Sequence, residues 1–162
     1  TPVSAMMRIE NNASYSFLLE SVEGGETKGR YSIIGLNPDL IWESNGSKAK
    51  IHYNLNKKEI KTKLEKNSTL SSLRNLLNSS KIKLPEELPP MSAGLVGYLG
   101  FDNIKLIENI PSKNPSKLNL PDGLFMRPTI MIIFDSVEHT MTIITPVYTN
   151  KKHKINHKDL RL

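Results

Sequence analysis

The chain has 162 residues, 38% of them hydrophobic, with a formal net charge of +6 and no cysteine. That length is one domain, able to bury about 70% of the surface its unfolded form exposes. Lack of cysteine excludes disulfides, a thiolate nucleophile and a cysteine zinc cluster, and suits a cytoplasmic setting; no apolar run nears the ~20 residues of a membrane span, and no signal pattern opens the chain.

Strands predominate along the chain. Tyr15 to Leu19 mixes alternation with a continuous apolar stretch, as a largely buried strand does. Short β-type runs over Tyr31 to Leu36 and Leu40 to Glu43 are separated by the turn Asn37-Pro38-Asp39. Asn45-Gly46 predicts a hairpin turn into Ala49 to Tyr53. A helix is predicted over Leu70 to Leu77, with Leu70, Leu73, Leu76 and Leu77 on one face and Ser68 or Thr69 capping the first turn. The connector Leu84 to Pro90 ends in two prolines and cannot be regular structure. Glycines three residues apart in Ala93 to Phe101 permit close backbone approach or a bend.

Asn109 to Leu120 is a polar, proline-punctuated loop. A last hairpin joins Thr129–Phe134 to Thr140–Val147. Its first strand is apolar on both faces, so it should be central. The expected fold class is an antiparallel-sheet-dominated α+β domain with few helices.

Much of the positive charge sits in the tail, where Lys151, Lys152, Lys154, Lys158 and Arg161 face a lone Asp159. The remainder is mildly basic and lacks the interleaved aromatics of a strand-stacking surface, so a solvated tail is favoured over a nucleic-acid site. Gly24 and Gly29 have phosphate-loop spacing, but Arg30 and Tyr31 stand where Lys and Ser/Thr are needed, so a turn is expected. His153 and His157 share a helical spacing without a third ligand, and no metal site is expected. Glu86-Glu87 reads as solvated charge, and no catalytic constellation emerges.

The remaining segment, Leu18-Leu19-Glu20-Ser21, ends an apolar run and is followed by Gly29-Arg30-Tyr31-Ser32. Glu20 can hold an ammonium, the Ser21 hydroxyl a carboxylate or carbonyl, and the leucines an apolar side chain. Taken alone, these residues equally describe a strand end whose polar groups satisfy local backbone.

The wider pattern adds to this. Thr1-Pro2-Val3-Ser4-Ala5, the pair of blocks just quoted, Gly94 to Asp102 with Lys105, Glu108 and Pro111, and Leu120 to Met126 with Phe134-Asp135 occur in order. Together they resemble the N-terminal domain of anthranilate synthase component I. Phe101 stands where tyrosine is common there, Lys105 where arginine is, and Ala93 where glycine is.

The resemblance implies a regulatory domain over residues 1–150, with 151–162 a basic tail or the start of an inter-domain linker. The implied enzyme is a lyase of tryptophan biosynthesis that converts chorismate and glutamine-derived ammonia to anthranilate and pyruvate. Its Mg²⁺ and chorismate ligands belong to a C-terminal domain that nothing here resembles, so this segment alone is expected to be inactive. Implied partners are a glutamine amidotransferase subunit, the chain's own C-terminal domain, and L-tryptophan as feedback inhibitor. The implied effector residues are Leu19, Glu20 and Ser21, then Arg30 and Ser32, with Arg30 orienting the loop or pairing with Glu20. Two alternatives stay open: the aminodeoxychorismate synthase large subunit of folate synthesis, and a non-enzymatic basic binding module.

Overall fold

A computed structural model describes residues 1–9, 15–23, 27–55, 59–111 and 118–148. In chain order it contains α1 (Pro2–Ile9), β1 (Ser16–Glu23), β2 (Thr27–Leu36), β3 (Leu40–Asn45), β4 (Lys48–Tyr53) and β5 (Lys61–Leu64). These are followed by α2 (Thr69–Ser79), β6 (Val96–Leu99), a 3-10 helix (Phe101–Leu106), β7 (Gly123–Arg127), β8 (Ile130–Asp135) and β9 (Thr140–Ile144). The strands form two sheets, ordered β1-β2-β8-β9 and β5-β4-β3-β7-β6. Every pairing is antiparallel, so the fold is the expected antiparallel α+β class. Among the described residues no helix is long and apolar enough to cross a membrane.

The apolar run of β8 sits between β2 and β9, the central position its composition predicts. Trp42 on β3 is fully buried, in a core with Leu40, Ala49, Ile51, Leu73 and Leu76. Its indole N–H donates to Ser72 Oγ at 3.0 Å, which satisfies the ring's polar atom where α2 crosses the sheet. Gly97 on β6 allows the close approach its spacing suggests. A Cβ there would overlap the Leu124 carbonyl and lie 2.7 Å from Phe125 Cα.

Several local expectations are corrected. The helix expected over Leu70–Leu77 runs over Thr69–Ser79, and Leu77 is exposed while Ser72 takes its place in the core. Ser68 stands at the N-cap without a side-chain capping bond, and Thr69 instead donates its hydroxyl to the Gly46 carbonyl at 2.7 Å. That bond ties the helix to the β3–β4 turn. Two elements escape the sequence pattern. In α1, Thr1 caps through its Oγ1, which accepts the Ser4 N–H at 3.1 Å, and Pro2 fits the first helical position. In β5 all four residues are exposed, so no apolar alternation marks it; backbone pairing to β4 makes it a strand. The basic tail, the paired histidines His153 and His157, and the Gly24-Gly25 turn lie outside the described residues.

The polypeptide passes between the sheets twice, from β2 to β3 and from β7 to β8, and the two passages lie side by side. Thr129 N–H donates to the Leu36 carbonyl at 3.1 Å and Asp39 N–H to the Arg127 carbonyl at 3.1 Å. Arg127 is buried there. Its Nε and Nη2 donate to the two Asp39 oxygens at 2.8 and 2.5 Å, and its Nη1 donates to Ser80 Oγ at 3.1 Å. The guanidinium also lies 4.3 Å from the centre of the Tyr148 ring.

Candidate functional site

Strand register determines which side chains share a face of the four-stranded sheet. Glu20 pairs with Ser32, Ser32 with Phe134, and Phe134 with Met141, so these four form one row across the sheet. The adjacent row on the same face is Leu18, Ile34, Ile132 and Ile143. Its centre is buried beneath Ala5, Met6 and Ile9 of α1. Next to the start of α1 the face opens into a cavity of about 350 Å³, lined by Pro2, Arg30, Ser32, Phe134, His139 and Met141 among others. A volume of that order suits a small organic ligand.

An ion pair closes one end of the cavity. Arg30 Nε donates to both Asp135 oxygens at 3.1 and 3.0 Å, and Nη2 donates to Oδ2 at 2.8 Å. Asp135 Oδ1 also accepts the N–H groups of Val137 at 2.9 Å and Glu138 at 3.1 Å, which shapes the β8–β9 turn. The hydrogen bonds from Arg30 hold the Asp135 carboxyl down to about 2; the two backbone N–H groups add to this, and desolvation opposes it. The same carboxylate raises the Arg30 pKa. Arg30 keeps 47% of its side chain exposed, and its Nη1 has no partner among the described residues.

The residues singled out in the sequence are distributed as follows. Ser32 and Arg30 line the cavity. Glu20 stands beside Ser32 on edge strand β1, exposed and without an ionic or hydrogen-bond partner among the described residues. Arg30 pairs with Asp135 rather than Glu20, because the β2–β8 register brings that carboxylate to the guanidinium. Ser21 is exposed at an irregularity: Glu20 pairs with Ser32 but Val22 with Lys28, so the register slips between them. Its side chain lies against Gly29, where a Cβ would overlap the Ser21 hydroxymethyl. Gly29 is therefore a strand residue under Ser21 and not part of the expected turn.

Leu19 pairs with Ile33, on the face opposite Glu20. The structure thus lines one cavity with Ser32 and Arg30, sets Glu20 beside Ser32 but outside the lining, and turns Leu19 to the opposite face.

Sequence reasoning missed Phe134, Met141, Asp135 and His139. They lie about a hundred residues from Ser32 and reach it only through the β2–β8 pairing, which no local pattern encodes. The one local hint was Asp135 itself, an aspartate opening a predicted turn. Together these groups can hold a small amphipathic molecule: a carboxylate for a cationic end, a half-exposed guanidinium for an anionic end, and Phe134 with Met141 for an apolar body.

No protein-family model matches the chain. Anthranilate synthase component 1 of Cereibacter sphaeroides is 40% identical over 150 residues, covering 93% of this chain and 30% of the relative. Its counterpart in Thermus thermophilus is 32% identical over 155 residues, covering 90% and 29%. The crystal structure of anthranilate synthase component I from Streptococcus pneumoniae superposes with a TM-score of 0.61 at 21% identity, over 95% of this chain and 31% of that one. The chain thus spans about 30% of the length of these relatives.

Proposed function

Because this chain is a relative of anthranilate synthase component I, matching its N-terminal part, we propose that it is the regulatory segment of a subunit making anthranilate for tryptophan synthesis. The full subunit would convert chorismate and ammonia to anthranilate and pyruvate, the ammonia coming from glutamine through an amidotransferase subunit. The resemblance assigns chorismate and Mg²⁺ to the C-terminal domain. Among the described residues no three His, Cys, Asp or Glu side chains come together to hold a metal ion.

The regulatory half of the reading rests on one observation, the cross-sheet row Glu20–Ser32–Phe134–Met141 beside the cavity. L-Tryptophan matches it end for end. The ammonium goes to unpaired Glu20, the carboxylate to the free Nη1 of Arg30 and the Ser32 hydroxyl, and the indole to Phe134 and Met141, where ring and thioether contacts add to apolar burial. Ser21 sets the strand end that presents Glu20, and Leu19 backs the strand from the other face. Inhibition then requires that the ligand favour one of two states of the subunit, a coupling of ~1–3 kcal/mol.

The test is anthranilate fluorescence from the parent polypeptide given chorismate, Mg²⁺ and ammonium, with and without L-tryptophan. Ser21→Ala and Glu20→Gln should raise the tryptophan concentration needed for inhibition and leave uninhibited turnover unchanged. Wild-type sensitivity in both variants would remove the site assignment. Chorismate consumption without anthranilate would move the chain to the folate branch.

A further inference from the structure

The β3–β4 turn carries a reactive dipeptide that the effector reading does not use. Asn45-Gly46 is the chain's one Asn-Gly pair, and both residues are exposed. Gly46 has a φ of +53°, a left-handed turn conformation that glycine adopts freely. The same lack of a side chain leaves its backbone nitrogen open to the Asn45 carboxamide. Attack of that nitrogen on Asn45 Cγ forms a C–N bond and expels the side-chain nitrogen as ammonia, which carries off the Gly46 amide proton. The cyclic imide then takes up water at either carbonyl and opens to aspartate or isoaspartate.

The structure opposes each requirement of that step. Gly46 N–H donates to Asp122 Oδ2 at 2.6 Å. A carboxylate is far too weak a base to take an amide proton, so this charge-assisted bond secures the N–H instead of activating it. Asp122 is itself anchored, its N–H donating to the Ser44 carbonyl at 2.8 Å. On the other side of Gly46, its carbonyl accepts the Thr69 hydroxyl at 2.7 Å. Asn45 ends β3 paired with Lys48. Ring closure needs the Gly46 nitrogen to swing round to the Asn45 side chain, a rotation away from the extended geometry of a strand.

We infer that Asn45 is a spontaneous deamidation site held shut in the folded chain, and that Asp122 sets its rate. The clamp joins the β3–β4 turn, the start of α2 and the segment leading into β7, so it releases only when these separate locally. Conversion is then self-locking. Isoaspartate adds a methylene to the backbone of the turn and a carboxylate opposite Asp122, so the modified turn no longer closes.

Peptide mapping by mass spectrometry tests this in the parent polypeptide at neutral pH, through the mass gain of conversion at Asn45. Conversion should run about tenfold or more slower in the native protein than in urea. Asp122→Ala should bring the native rate to within about threefold of the urea rate, and Thr69→Val, which removes only the bond to the Gly46 carbonyl, should fall between. Hydrogen exchange at the Gly46 amide of the unsubstituted protein should be slowed to a similar degree, so the answer does not depend on a variant folding. Equal conversion in native protein and in urea overturns the proposal, as does a Gly46 amide that exchanges at its unfolded rate. A folded Asp122→Ala protein that converts no faster than the parent would place the protection in the strand pairing and overturn the role of Asp122. Slower conversion in that variant would make the carboxylate an activator and overturn it as well.

Discussion

Replacing Arg127 by Met tests what holds the two sheets together. The guanidinium is 7% exposed and its partner Asp39 is 38% exposed, so the two ends of the pair differ in what they lose. Asp39 can rehydrate, which limits the loss of the fork to ~1 kcal/mol. Ser80 is buried and loses its donor, worth ~1 kcal/mol. The contact with the half-buried Tyr148 ring adds ~1 kcal/mol. The expected destabilisation is about 3 kcal/mol, or roughly 10 °C in Tm for a chain of this size.

Trp42 is the chain's single tryptophan and is fully buried, so its fluorescence during urea unfolding reads the change directly. Arg127→Lys keeps the charge but not the planar fork, and should recover less than half of the loss. A Met variant within ~0.5 kcal/mol of the parent would refute the reasoning. It would show that the two passages hold together through backbone bonds alone.

Other consequences concern single atoms. Gly97→Ala should cost ~3 kcal/mol in urea unfolding, because the added Cβ meets neighbouring backbone at Leu124 and Phe125 that has no rotamer to change. Asp135 should titrate near 2 by carboxyl NMR. Its folded value lies below the unfolded ~3.9, so its contribution is complete above pH ~4 and fades as pH falls toward 2; Asp135→Asn should flatten stability across that window. Met141→Ala should leave stability within ~0.5 kcal/mol, since the residue is exposed. By calorimetry it should weaken tryptophan binding to the parent about tenfold through lost apolar contact, and unchanged affinity would move the indole elsewhere.

How far the fold could be read depended on whether a signal was local. The continuous apolar run Ile130–Phe134 declared a central strand, and Asn45-Gly46 declared its turn; both stand in the structure. Lys61–Leu64 could not be recognised, because an edge strand exposed on both faces carries no alternation. The eight-residue α1 was equally silent apart from Thr1 and Pro2. For the proposed site, the motif singled out Arg30 and Ser32, which line the cavity, and Glu20, which pairs with Ser32. Phe134 and Met141 were not, since a cross-strand neighbour is set by sheet order. Leu19 and Glu20 are adjacent in sequence, and alternation alone implies opposite faces.

The cavity owes its constancy to an arrangement at the two ends of one strand pair. At one end Arg30, on β2, forks onto Asp135, on β8. At the other, Asp39, beyond β2, receives the fork of Arg127, which precedes β8. The donor changes strand between the two ends. A slip of the pairing by one residue would break both forks at once and leave Ser32 and Phe134 on opposite faces of the sheet. An apolar pairing such as Ile33 with Ile133 or Ile34 with Ile132 cannot enforce this by itself, because isoleucine beside isoleucine survives a one-residue shift. The charges therefore specify register more than they add stability, and register is what places Ser32, Phe134 and Met141 in one row. On this argument Arg127, well outside the cavity, controls its shape as firmly as Arg30 at its rim.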